Sequence, residues 1–134
     1  MNTVDPKKRT ILIVEDDQFL SSIVAEHFMK EGYNVVPAQG GAEALKFLAE
    51  NVPDIMLLDI LMPEMSGLEV LKKVRADNRY KDMPIIVFSN LGQQSDIDEG
   101  KKLGADDFLV KAQFTLKEVM DKVKTLLNKK RSQE

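Results

Sequence analysis

Residues 53–67, PDIMLLDILMPEMSG, set an apolar run of Ile55, Met56, Leu57 and Leu58 directly against an acid, Asp59, and then stop it with Pro63 and Gly67. The run is continuous rather than alternating, which is the pattern of a central parallel strand covered on both faces. Asp59 then leaves the sheet at its carboxyl end, the edge where open α/β sheets bind ligands. A lone carboxylate there reads as chemistry, and its competing role is to cap the following turn.

The same pattern recurs on either side. Thr10–Val14, TILIV, is a second continuous apolar run and also ends in acid, at Glu15, Asp16 and Asp17. Helical spacing follows through Phe19, Leu20, Ile23, Val24 and Phe28, and Gly32 closes it. Residues 33–36 read as a strand, 42–51 as a helix and 68–74 as a helix that Pro84 and the polar stretch before it terminate. Residues 85–88 form a fourth apolar strand that delivers Ser89 and Asn90. Residues 91–104 are the weakest helix: Ser95 and Asp98 suggest a capping box, Ile97 and Leu103 are its core candidates, and Gly100 weakens the middle. Asp107–Val110 is the last strand and hands over Lys111; Leu116, Val119, Met120, Val123, Leu126 and Leu127 stripe the last helix.

Five strand and helix alternations without a repeat imply one α/β domain, a doubly wound parallel sheet with helices on both faces. The five-stranded order 2-1-3-4-5 places the first and third strands side by side, so that Glu15, Asp16 and Asp59 converge. The expected organisation is a flexible lead-in over 1–9, the domain over 10–128 and a charged tail over 129–134 with no output domain.

With 134 residues, 43% of them hydrophobic, the chain is long enough for one core and too short for two. A formal charge of −3, with basic residues spread along the chain, argues against direct nucleic-acid binding. Without cysteine there is no disulfide, thiol catalysis or thiolate metal site, and one histidine, His27, makes no zinc centre; it is expected at the core margin. Any metal must be held by oxygen. The apolar runs are too short to span a bilayer and the first residues lack the apolar middle of a signal peptide, so the expected location is cytoplasmic, with no membrane partner.

Two carboxylates about 4 Å apart repel by roughly 4 kcal/mol at an effective dielectric of 20, so positive charge must sit among the three. Lys111 supplies one cation, and a hard dication, Mg2+ or Mn2+ in its place, is the second. Magnesium takes one or two carboxylates together with phosphate oxygens, which makes Asp59 the candidate nucleophile for an acyl phosphate. Lys111 and the Ser89 hydroxyl would then meet the oxygens of the arriving phosphoryl group.

ILIVEDD, LLDILMPEMSG, the strand ending at Ser89 and GADDFLVK stand in an order and spacing that resembles a response-regulator receiver domain of the chemotaxis-regulator, CheY-like type, over about residues 10–127. The resemblance implies Asp59 as phosphoacceptor, Glu15 and Asp16 as the acidic pair and the backbone carbonyl of Leu61 as a further Mg2+ ligand. It also implies Ser89 as the switch hydroxyl, Lys111 as the phosphate-sensing cation and Phe108 as the aromatic that changes position with Ser89. Such a domain is a regulatory phosphoacceptor of two-component signalling rather than an enzyme. Its phosphodonor is a histidine kinase or a phosphotransfer protein, and it controls an output protein, or dimerises, through the face made by its fourth helix, fifth strand and fifth helix.

Two residues depart from the family pattern. Ala112 stands where the family has a cis proline, and a cis bond before alanine costs about 2.5–4 kcal/mol. Asn90 replaces a small residue after the switch hydroxyl. The main alternative is therefore a receiver-shaped interaction module that is never phosphorylated. An FMN binder of the same fold is disfavoured because the loop after the first strand is acidic, without glycine or a Ser/Thr cluster. An aspartyl-phosphate hydrolase would want a second Asp two residues beyond Asp59, where Leu61 stands. Asn90 is expected to alter water access to an acyl phosphate; a changed decay half-life in Asn90→Ala, followed by intact mass, is the expected result, and equal half-lives would remove that role.

Overall fold

The computed structural model describes the backbone of residues 8–132 and the side chains of residues 8–129. Apart from Lys8 and Arg9, the expected lead-in lies outside the described residues, as do the last two residues of the expected tail. The elements run β1 (Thr10–Val14), α1 (Gln18–Lys30), β2 (Asn34–Ala38), α2 (Gly41–Leu48), β3 (Ile55–Leu58), α3 (Gly67–Arg75), β4 (Ile85–Ser89), α4 (Gln94–Lys102), β5 (Asp107–Val110) and α5 (Leu116–Ser132), with short 3-10 turns at Asn78–Tyr80 and Lys111–Gln113. All neighbours pair in parallel, in the order β2-β1-β3-β4-β5. That is the doubly wound sheet expected from the apolar runs.

The runs are continuous because each strand feeds two cores. Leu12, Val14, Met56, Leu58, Ile85 and Val87 face α2, α3 and α4, while Ile11, Ile13, Ile55, Leu57 and Ile86 face Val24 and Phe28 of α1 and Val119, Val123 and Leu127 of α5. β3 is buried along its whole length, so its carboxyl end can project Asp59 only toward the loops.

Element ends differ from expectation for local reasons. β2 begins at Asn34 and runs through Pro37, which an edge strand tolerates because its missing N–H removes no bond from an inner ladder. Tyr33 instead packs edge-on to Phe28, with ring centroids 5.3 Å apart. α2 stops at Leu48 rather than reaching Asn51, whose side-chain amide turns back to donate to the Phe47 carbonyl at 2.9 Å. In α1 the inward line is Leu20, Val24 and Phe28; Phe19, expected inward, is 78% exposed. His27 is exposed rather than at the core margin, and its Nδ1 lies 2.9 Å from the Ile23 carbonyl oxygen, which can only accept. α5 continues through residues 129–132, expected as tail, in a stretch rich in Lys and Arg with no Gly or Pro to stop it.

α4 is three residues shorter at its start than expected and has no capping box. Gln93 precedes it without a side-chain cap, and the Asp98 carboxylate instead accepts from the Gln94 side chain at 2.8 Å. Its other end is tied. Arg75 donates through Nε to the Gly104 carbonyl at 2.9 Å, through Nη1 to the Tyr80 carbonyl at 2.6 Å and through Nη2 to Asp106 at 3.0 Å, and the same Asp106 oxygen accepts from the Ile85 N–H at 2.8 Å. Gly104 has φ +112°, and a Cβ there would meet the Arg75 Cγ at 2.7 Å, so both backbone and space call for glycine.

The capping box that does form is on α5. Thr115 Oγ1 accepts from the Glu118 N–H at 3.1 Å, and Glu118 Oε1 accepts from the Thr115 N–H at 2.8 Å, so the T-x-x-E pattern satisfies two orphan donors reciprocally. These bonds hold the Glu118 carboxyl below its ordinary value. A depressed carboxylate pKa gives stability that is present at neutral pH and lost as pH falls below the unfolded value through the folded one. Thr115→Ala removes the hydroxyl acceptor and is expected to cost about 1 kcal/mol at neutral pH, the usual worth of a cap, whereas Glu118→Gln removes the titrating group and is expected to reduce the acid dependence of unfolding below about pH 4.3, both read by thermal melts across a pH series.

Candidate functional site

Four strand ends meet at the carboxyl edge of the sheet. β1 delivers Glu15, buried, and Asp16, exposed; β3 delivers Asp59, buried; and one carboxylate oxygen from each of the three lies within 4.8 Å of the others. From β5, Lys111 reaches across so that its Nζ donates to Glu15 Oε1 at 2.5 Å and to Asp59 Oδ2 at 2.8 Å. The ammonium also stands 5.8 Å from the centroid of the Phe88 ring.

The remaining carboxylate oxygens are held by backbone. Glu15 Oε2 accepts from the Asp17 N–H at 3.1 Å, and Asp59 Oδ1 from the Leu61 N–H at 3.0 Å. Asp59 thus caps the turn with one oxygen, as read from its segment, and bonds Lys111 with the other. Asp17 is the N-cap of α1, its Oδ1 accepting from the Leu20 N–H at 3.1 Å, which leaves Asp16 as the acid that joins the cluster. Leu61, expected to offer its carbonyl, makes its observed contact with Asp59 through its N–H.

Burial lifts the Glu15 carboxyl above its ordinary value, against the pull of Lys111 and the Asp17 N–H. Burial works the other way on Lys111, but hydrogen bonds to Asp59 and then Glu15 outweigh it and raise the lysine pKa. The lysine stays protonated at neutral pH, and the pair of buried carboxylates shares one fixed cation.

Lys111 does this with a trans peptide to Ala112, since no described peptide bond is cis. The Lys111–Gln113 turn carries the chain away while the side chain points back from the end of β5. Ser89 is fully buried at the end of β4, beside Val110, and its hydroxyl accepts from the Leu91 N–H at 3.4 Å. Phe108 is inward, with 6% exposure, in the core between sheet and α4. Asn90 and Ala112 are exposed.

Gly67 is a site residue that its reading as a stop signal missed. A Cβ at 67 would fall 2.1 Å from the Asp59 carbonyl oxygen and 2.7 Å from the Ile60 Cα, because the start of α3 presses against the backbone carrying Asp59; Gly67 N–H closes the contact by donating to the Ile60 carbonyl at 3.0 Å.

The family model described as the response regulator receiver domain matches residues 11–124. The chain belongs to the response-regulator receiver family. Among curated relatives, a probable transcriptional regulator of Guillardia theta is 37% identical over 122 residues, which cover 91% of this chain and 46% of the relative. The response regulator MprA of a Mycobacterium species is 37% identical over 119 residues, covering 89% and 50%. The receiver chain therefore spans about half the length of the curated relatives it matches. Among solved structures, a putative response regulator from Chloroflexus aurantiacus superposes with a TM-score of 0.85 at 34% identity, covering 91% of this chain and 99% of that one. TrrA of Thermotoga maritima, solved in complex with Mg2+ and BeF, gives 0.77 at 35% identity, covering 88% and 98%. No helix among the described residues is long and apolar enough to cross a membrane.

Because the obstacle at Gly67 is backbone, a methyl group there cannot be accommodated by a rotamer change. Gly67→Ala is expected to destabilise this receiver domain by about 1–3 kcal/mol or more, read as a lowered midpoint in urea, and to shift the backbone amide resonances of Asp59 and Ile60.

Proposed function

We propose that this receiver domain is a phosphoacceptor switch with Asp59 as the acceptor. The observation that carries the reading is the grouping of Glu15, Asp16 and Asp59 within 4.8 Å around a carboxylate already bonded to Lys111. Such a donor set is hard oxygen only, which suits Mg2+ or Mn2+ and excludes soft metals. Glu15, Asp16 and Asp59 would hold the ion, with the Leu61 carbonyl as a further ligand. When bound, the ion supplies positive charge to the oxygens of a phosphoryl group.

An oxygen of the Asp59 carboxylate forms the new bond to phosphorus while the bond from phosphorus to the donor's imidazole nitrogen or acyl oxygen breaks, and that leaving atom keeps the electron pair. Lys111 is positioned to follow a phosphoryl oxygen with its ammonium, exchanging its present bond to Asp59 for one to the product. Ser89, at the end of the neighbouring strand, offers its hydroxyl to another oxygen and draws the loop 90–93 with it. Hydrolysis returns the free carboxylate and inorganic phosphate. The chain is thus a regulator that undergoes phosphotransfer and self-dephosphorylation, with no other turnover.

The phosphodonor in this reading is a histidine kinase or a phosphotransfer protein. Phe108 transmits the change to the face made by α4, β5 and α5, which docks an output partner or a second copy of the chain. Ala112 gives no support to the unphosphorylated interaction module, because the trans peptide leaves Lys111 bonded to Asp59.

Incubation with Mg2+ and acetyl phosphate, followed by intact mass, is expected to add one phosphoryl group to the chain and none to Asp59→Asn or to a sample with chelator. No added mass on folded protein at any time would leave the unphosphorylated module as the reading.

A further inference from the structure

Gly100 is the buried residue of α4, and the Phe108 ring lies directly against it. A Cβ at position 100 would stand 2.8 Å from Phe108 Cδ2 and 3.2 Å from Cε2, where carbon atoms in contact sit about 3.5–4.0 Å apart. The other inward side chains here, Ile97 of α4 and Leu103 at its C-cap, are only partly buried. A glycine in mid-helix lowers the folding constant roughly fourfold to fivefold against alanine, so its presence at 100 calls for a local reason. The ring is that reason.

The two ends of α4 are held unequally. At its C-terminal end the Gly104 carbonyl is fixed by Arg75, which is itself bonded to the Tyr80 carbonyl and to Asp106. At its start, Gln93 gives no side-chain cap, and the loop behind it leads in three residues to Ser89. A displacement at Ser89 therefore reaches the loosely held end of α4 first.

From this geometry we infer that Gly100 is a positioning residue for Phe108. Its bare Cα is the seat that admits the ring, and the N-terminal half of α4 opens or closes that seat by swinging about the end that Arg75 holds. Ring position and helix position are then a single variable. The inference rests on the switch reading of Ser89 and Phe108, and adds to it the surface against which the ring moves and the point about which the helix turns.

The test uses the full chain labelled with 4-fluorophenylalanine, the Phe108 signal being assigned by its loss in Phe108→Val. Gly100→Ala is expected to move that fluorine signal toward the position of an exposed ring and to lower the folded-to-unfolded ratio in urea at least threefold. In the Phe108→Val background, whose side chain ends short of the clash, the same substitution is expected to raise the ratio about fourfold, the gain of helix propensity alone. Equal gains in both backgrounds with an unmoved fluorine signal would overturn the seat. Should Gly100→Ala fail to fold, rescue by Phe108→Val supports it, and failure in both backgrounds overturns it. For the swing, amides 97–99, which lie past the unbonded first turn, are expected to exchange with solvent at least tenfold faster than 101–103, and Arg75→Gln to remove the difference; uniform exchange in the unsubstituted chain overturns the pivot. None of these readouts needs a phosphoryl group, so a failure of Asp59 to accept phosphate would register separately.

Discussion

The bond that the site depends on is the one from the Lys111 ammonium to two buried carboxylates at once. Glu15 and Asp59 emerge from adjacent strands of a parallel sheet, and the topology gives them no freedom to part. Without a cation between them their repulsion would fall on β1 and β3, the strands that both cores pack against. Lys111, reaching over from β5, turns that repulsion into a cross-link between strands that are not neighbours. The backbone N–H groups of Asp17 and Leu61 take the opposite oxygens, so both carboxylates are held at each end before any ligand arrives.

The sheet makes this arrangement cheap to build. Every strand is covered on both faces, so its apolar run needs no polar interruption between its ends, and the three carboxylates and Lys111 gather at one edge. The opposite edge carries a different kind of polar cluster. Arg75, Asp106 and the carbonyls of Tyr80 and Gly104 lock the start of β4 to the turn before β5 and to the end of α3. One edge of the sheet is therefore tied by a single arginine to backbone and one carboxylate, while the other gathers three carboxylates around a single lysine.

The order of the strands, the acids at the ends of β1 and β3, and the lysine at the end of β5 were legible because they rest on runs of apolar residues and on what stands immediately after them. Less legible was anything decided by contact across the fold. Gly67 and Gly100 both looked like punctuation, yet one makes way for the Asp59 backbone and the other for the Phe108 ring. The capping box was sought at Ser95, where α4 has no cap, and lay at Thr115, where the same pattern is better written. Phe19 shared the period of its helix but not its inward line, because the buried face is completed by Ser21 and Ala25 beside Val24 and Phe28, on the side away from Phe19. Ala112 raised a doubt about Lys111 that the local sequence had no means of resolving: the lysine's reach is set by where β5 ends and not by the isomer of the bond that follows.

A lysine bonded to both carboxylates is also a resident monovalent ion. Sodium or potassium would bring Glu15 and Asp59 no more charge than the ammonium already gives, and would have to displace a tethered group whose local concentration no salt in solution can match. Only an ion of higher charge improves on what is there. The tether of Lys111 therefore leaves a monovalent ion nothing to gain between the two buried carboxylates.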